Sequence, residues 1–144
     1  MFKHILVPVD GSSTSQLAVE KAIGLAKAFG SQVTAIFVID PYPFTGVGTD
    51  FAYGQAEYLS AATAEANSAI KAVKAAFEAS GIGVVTSVIE SHTAWRGVVE
   101  SAESMQADLI VMGSRGFFGL AGVVFDSVSQ KTLQKAPCPV LVVR

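Results

Sequence analysis

The chain has 144 residues, 51% hydrophobic and 15% charged, with a formal net charge of −2. That length predicts one domain, residues 1–144, with a sizeable core. The charge balance lacks any Lys/Arg cluster, which excludes non-specific nucleic-acid binding. No membrane partner is expected either, because the longest apolar-plus-glycine run, Gly116 to Phe125, falls short of the ~20 residues that cross a bilayer. The start, Met-Phe-Lys-His-Ile-Leu-Val-Pro, has no signal-peptide pattern, so a cytoplasmic protein is expected. A single cysteine, Cys138, cannot form an internal disulfide, and no Cys/His set has zinc spacing. Its apolar surroundings predict a buried, inert thiol.

Lys3 to Val9 reads as a buried, β-branched strand, with Pro8 tolerable only where pairing stops at its carboxyl end. Asp10-Gly11-Ser12 turns the chain, and Ser12, Ser13 or Ser15 can cap the helix that follows. That helix spans Ser15 to Phe29 on an apolar face of Ala18, Ala22, Leu25, Ala26 and Phe29, and Gly30 stops it. Gln32 to Ile39 is a second buried strand. Pro41 to Gln55 shows no period and reads as a loop. It is either a surface loop pinning its aromatics on a neighbouring helix or a flap over a ligand.

Ala56 to Ser80 is a helix with a stripe of Leu59, Ala62, Ala66, Ile70, Val73 and Phe77. Its charged residues, Glu57, Glu65, Lys71, Lys74 and Glu78, read as largely solvated. A strand over Val84 to Ile89 follows, then a helix from Ala94 to Met105 capped by Thr93 or Ser91. Asp108 to Met112 is a fourth strand, Asp126 to Lys135 a fourth helix and Pro139 to Val143 a fifth strand. Apolar strands alternating with helices predict a parallel sheet covered on both faces. Right-handed crossovers make it doubly wound, with ligands at the strand carboxyl ends.

Three segments fall at those ends: Pro8-Val9-Asp10, Val38-Ile39-Asp40 and Gly113-Ser114. Gly113-x-x-Gly116-x-x-Gly119-x-x-Gly122 is neither a Walker A loop nor a dinucleotide fingerprint. Between a strand and a helix it can cradle a phosphate, or simply connect the two. Asp10 can accept hydrogen bonds from ribose hydroxyls or cap its own turn. His4 reads as a satisfied structural histidine, His92 as a surface turn residue and Trp95 as packing. No nucleophile elbow or acid–base pair is present, so no dedicated enzyme chemistry is expected, with weak ATP hydrolysis left open.

The chain resembles the universal stress protein superfamily along essentially its whole length. The resemblance rests on Ile5-Leu-Val-Pro-Val-Asp-Gly-Ser12, Phe37-Val-Ile-Asp40, Ala107-Asp-Leu-Ile-Val-Met-Gly-Ser-Arg-Gly116, and Ser127-Val through Ala136-Pro-Cys-Pro-Val-Leu-Val-Val143. It implies a Rossmann-like, open five-stranded parallel α/β sheet in the order 3-2-1-4-5, with helices on both faces. It also implies a homodimer paired through the C-terminal strand, in keeping with an edge strand that nothing later in the chain covers. The nucleotide-binding branch carries Gly-x2-Gly-x9-Gly-Ser/Thr. By position, Gly113 and Gly116 match, and Ser127 and Val128 would offer a hydroxyl and an N–H to phosphate, beside Ser129. Pro8, Val9 and Asp10 match the ribose and adenine edge, and Val38 the residue that reads adenine. Ser114, Arg115, Phe117, Phe118 and Gly119 fall in the phosphate loop.

The third glycine of that pattern is Asp126 here. A carboxylate suits a helix start but repels phosphate: like charges about 5 Å apart cost on the order of 1–3 kcal/mol at intermediate dielectric. Mg²⁺ bound by Asp126 would offset this. The apolar run Phe117 to Phe125 either packs against the protein or docks a partner. The expected protein is a dimeric stress-response module that binds ATP or another adenine nucleotide and signals to a protein partner. The alternative is a dimer of the same fold that binds no nucleotide and acts through protein contacts.

Overall fold

The computed structural model describes the backbone of residues 1–40, 49–114 and 123–144. Its elements are β1 (His4–Pro8), α1 (Ser13–Phe29), β2 (Gln32–Ile39), α2 (Thr49–Ala79), β3 (Val85–Glu90), α3 (Ala94–Met105), β4 (Leu109–Gly113), α4 (Val123–Lys135) and β5 (Val140–Val143). The strands form one sheet in the order β3-β2-β1-β4-β5, with every neighbouring pair parallel. The expected fold class and strand order are therefore what the chain adopts.

Strand side chains alternate between two cores, as a period of two requires. Ile5, Val7, Val9, Val33, Ala35, Leu109 and Val111 face α1 and α2, where Ala18, Ala22, Ala66 and Phe77 meet them. Leu6, Ile36, Ile110 and Met112 face α3 and α4, against Val98, Ala102 and Val128. Pro8 keeps its place for a hydrogen-bonding reason. The Val9 N–H donates to Ile36 O at 2.8 Å. Alternation then turns the Pro8 nitrogen toward β4, where the registered pairing ends at Leu6–Ile110.

Helix ends follow local chemistry. Ser12 caps α1, its Oγ accepting from Ser15 N–H at 3.2 Å. Gly30, at φ 66°, ends α1 and donates its N–H to Ala26 O. Of the two predicted caps, Thr93 takes the N-cap position of α3, without a side-chain hydrogen bond, and Ser91 Oγ donates to Thr93 O at 2.9 Å. Two helices start earlier than their apolar periods predict. α2 begins at Thr49, not Ala56, so a 31-residue helix takes over the end of the predicted loop. Thr49 and Asp50 are helix-start residues, and a single interior glycine, Gly54, costs only about 1 kcal/mol. α4 begins at Val123, not Asp126. Residues 41–48 of the predicted loop or flap lie outside the described residues.

Candidate functional site

A cavity of about 290 Å³ opens at the carboxyl ends of the first three strands. Asp10 follows β1, Phe37 to Asp40 close β2, and Ser91 and His92 follow β3. From above, α2 contributes Tyr58, Ala62 and Glu65, which share one helical face at spacings of four and three. Sequence reading brought Asp10 and Val38 to this place. It assigned no site role to Tyr58 or Glu65. Glu65 is exposed, as predicted, yet borders the cavity. No period within α2 marks that role, because it depends on where the helix crosses the sheet.

Asp10 divides its two oxygens. Gly11, at φ +83°, lets the chain turn sharply after β1. Oδ1 then accepts from Ser12 N–H at 2.9 Å, while the Asp10 N–H donates to Ser15 Oγ at 3.2 Å. Oδ2 is buried and has no hydrogen-bond partner among the described residues. An unpaired buried carboxylate oxygen is costly, so a donor from a ligand is the natural complement. The two readings of Asp10, turn cap and ligand acceptor, thus fall on different oxygens.

Val38 is held from the other face of the sheet. A Cβ added at Gly97 of α3 would lie 3.2 Å from Val38 Cγ1 and 3.1 Å from Ser91 Cβ, so that glycine brings the cavity wall in close. Burial, with the charges of Asp40 and Glu65, raises the Tyr58 pKa and keeps its phenol a donor. His92 is a surface residue, 68% exposed, and its Nδ1 lies 3.4 Å from Asp40 Oδ1.

The predicted phosphate side is more constrained. A Cβ on Gly113 would come within 2.8 Å of the Thr14 backbone carbon, so the glycine admits the first turn of α1. The Ser114 N–H is committed to Val143 O at 2.8 Å. Arg115, Gly116, Phe117, Phe118 and Gly119 lie outside the described residues, as does the side chain of Ser127. Because α4 starts at Val123, Val128 lies in its second turn. The Val128 N–H therefore sits inside the helical ladder, and its side chain is buried in the α3/α4 core. Ser129 is buried too. The earlier helix start thus places Val128 within α4 and not at its end. Pro8 and Val9 are buried.

The remaining candidates are structural. His4 Nδ1–H donates to Met105 O at 3.1 Å, leaving Nε2 to accept from the Thr34 hydroxyl at 2.8 Å. Trp95 packs on the α3/α4 core. Cys138 is half-buried, less than its pattern predicts; burial, then the Asp108 charge, raises its pKa and keeps it a thiol. Among the described residues, no three His, Cys, Asp or Glu side chains group as metal ligands. None of the described helices is long and apolar enough to cross a membrane.

A doubly wound parallel sheet with a cavity at its strand carboxyl ends defines a Rossmann-like ligand-binding architecture. Comparison with known proteins narrows this. The universal stress protein family model matches residues 1–144. A universal stress protein of Methanocaldococcus jannaschii is 39% identical over 100% of this chain and 83% of its own length. The solved universal stress protein of Lactobacillus plantarum superposes with a TM-score of 0.86 at 27% identity, covering 99% of this chain and 98% of its own. The chain belongs to the universal stress protein family. The structure of a family member from Archaeoglobus fulgidus in complex with dAMP shares the fold, with a TM-score of 0.71 at 18% identity, covering 100% of this chain and 98% of its own.

Proposed function

We propose that this chain is a single-domain, cytoplasmic regulatory module of the stress response that binds an adenine nucleotide and carries no dedicated catalytic machinery. The observation behind this reading is the orphaned, buried Oδ2 of Asp10, a residue that borders the same cavity as Val38. A ribose hydroxyl would supply the missing donor, and a purine would lie along β2. Asp10, Asp40 and Glu65 make this cavity hostile to phosphate, so the phosphates run toward Gly113 and the residues that follow it. ATP, ADP or AMP fits this polarity, and Mg²⁺ would soften the repulsion that Asp126 adds. The dAMP complex of a same-fold relative supports adenine as the base. Signalling would pass through a homodimer paired along β5 and onward to a protein partner.

Purified protein should release ATP, ADP or AMP on denaturation, detected by chromatography. Asp10→Asn keeps the Oδ1 turn but loses the anionic acceptor. It should weaken ATP binding about ten-fold by calorimetry, as expected for one hydrogen bond to a charged group. An empty protein with no thermal shift at saturating ATP, with or without Mg²⁺, would overturn the reading. The committed Ser114 amide and the packed Gly113 favour the second reading in that event: a dimer acting through protein contacts alone.

A further inference from the structure

Asp10 and Glu65 wall two spaces, not one. Beyond them lies a second cavity of about 610 Å³, between α1 and α2 on the other side of the same two carboxylates. Its apolar lining comes from Val9, Val19 and Val73, with the small side chains of Ala69, Ala72 and Ala76 along α2. Glu20 joins the two shared carboxylates, and among the described residues no Lys, Arg or His borders it. Its volume is that of a small-molecule site. It adjoins the nucleoside cavity at the residue assigned above to the ribose.

We infer that this space is an annex for a substituent carried on the ribose, so that the chain accepts adenine nucleotides acylated at the 2′ or 3′ oxygen. The inference rests on the nucleotide reading above. An acyl group on one ribose oxygen leaves the other hydroxyl free to donate to Asp10 Oδ2. The group then extends past Asp10 and Glu65 onto the valine and alanine surface. Lining charge sets its character: a neutral or cationic group is accepted, an anionic one refused.

The test is a fluorescence titration of the full chain with 2′(3′)-O-(N-methylanthraniloyl)-ATP, with unmodified ATP and 2′(3′)-O-succinyl-ATP as competitors. The aromatic ester should bind about ten-fold more tightly than ATP, since it buries an apolar ring that ATP lacks. Its emission should rise and shift to the blue. Succinyl-ATP should bind more weakly than ATP. Ala72→Phe fills the annex away from the nucleoside cavity, and should abolish the gain of the aromatic ester while leaving the ATP affinity unchanged. An aromatic ester that binds more weakly than ATP would overturn the annex and leave nucleotide binding standing. Equal affinity for succinyl-ATP and the aromatic ester would overturn it in the same way. Failure of all three nucleotides to bind would remove both readings together.

Discussion

At the residue scale, carboxylates beside strands do different work. Asp108 precedes β4 and reaches back to β1, where Lys3 N–H donates to its Oδ2 at 2.7 Å and His4 N–H to its Oδ1 at 3.0 Å. Desolvation pulls its pKa up, but hydrogen bonds from the Lys3, His4 and Asp108 amides outweigh it and hold the pKa below the usual value. A depressed carboxylate pKa stabilises the fold above the unfolded-state pKa, and that stabilisation is lost as pH falls through the folded-state value. Asp108→Asn should therefore lower the urea midpoint at neutral pH. The gap from the parent should close as the medium is acidified below the ordinary carboxylate range; a pH-independent gap would rule out this role. Asp10 is also partnered by an amide, but through one oxygen only. In the sequence both residues simply flank a strand. Which one keeps an oxygen unpaired depends on what surrounds it.

At the scale of elements, the first turn of α1 and the end of β4 depend on each other. Thr14 lies over Gly113, so Gly113→Ala drives a methyl group into backbone, and overpacking of this kind costs about 1–3 kcal/mol. Gly24, inside α1, has nothing within 4 Å of an added Cβ. Gly24→Ala should instead stabilise by about 0.5–1 kcal/mol, through helix propensity alone. Denaturant midpoints of the two variants should move in opposite directions. The glycine that sequence reading tied to phosphate thus has a packing reason of its own. The strands were legible because buried parallel strands are continuous apolar runs. The starts of α2 and α4 were not, since Thr49 to Gln55 and Val123 to Phe125 carry no period that separates helix from loop.

For the whole molecule, the sheet ends on two edges, β3 and β5. Along β5, Leu141 is 42% exposed and Val140 and Val142 are half-buried, an apolar ladder with no strand beyond it among the described residues. If copies of the chain pair there, Leu141→Glu should convert the dimer to a folded monomer by light scattering, with the circular dichroism spectrum kept. A parent protein that is already monomeric would refute pairing at this edge. Alternating apolar runs were enough to determine the fold class and the end of the sheet where a ligand is expected, and the family resemblance carried by the motifs around Asp10, Asp40 and Gly113 implied the strand order. The fold class follows from periodicity and from short turns whose chemistry is local. Tertiary structure decided what depends on distant segments meeting: Tyr58 and Glu65 over the strand ends, Thr14 against Gly113, Val143 on the Ser114 amide, and Asp10, with its orphaned oxygen, in the walls of two cavities. Each of these joins residues far apart in the chain, and only the packing of helices on the sheet brings them together.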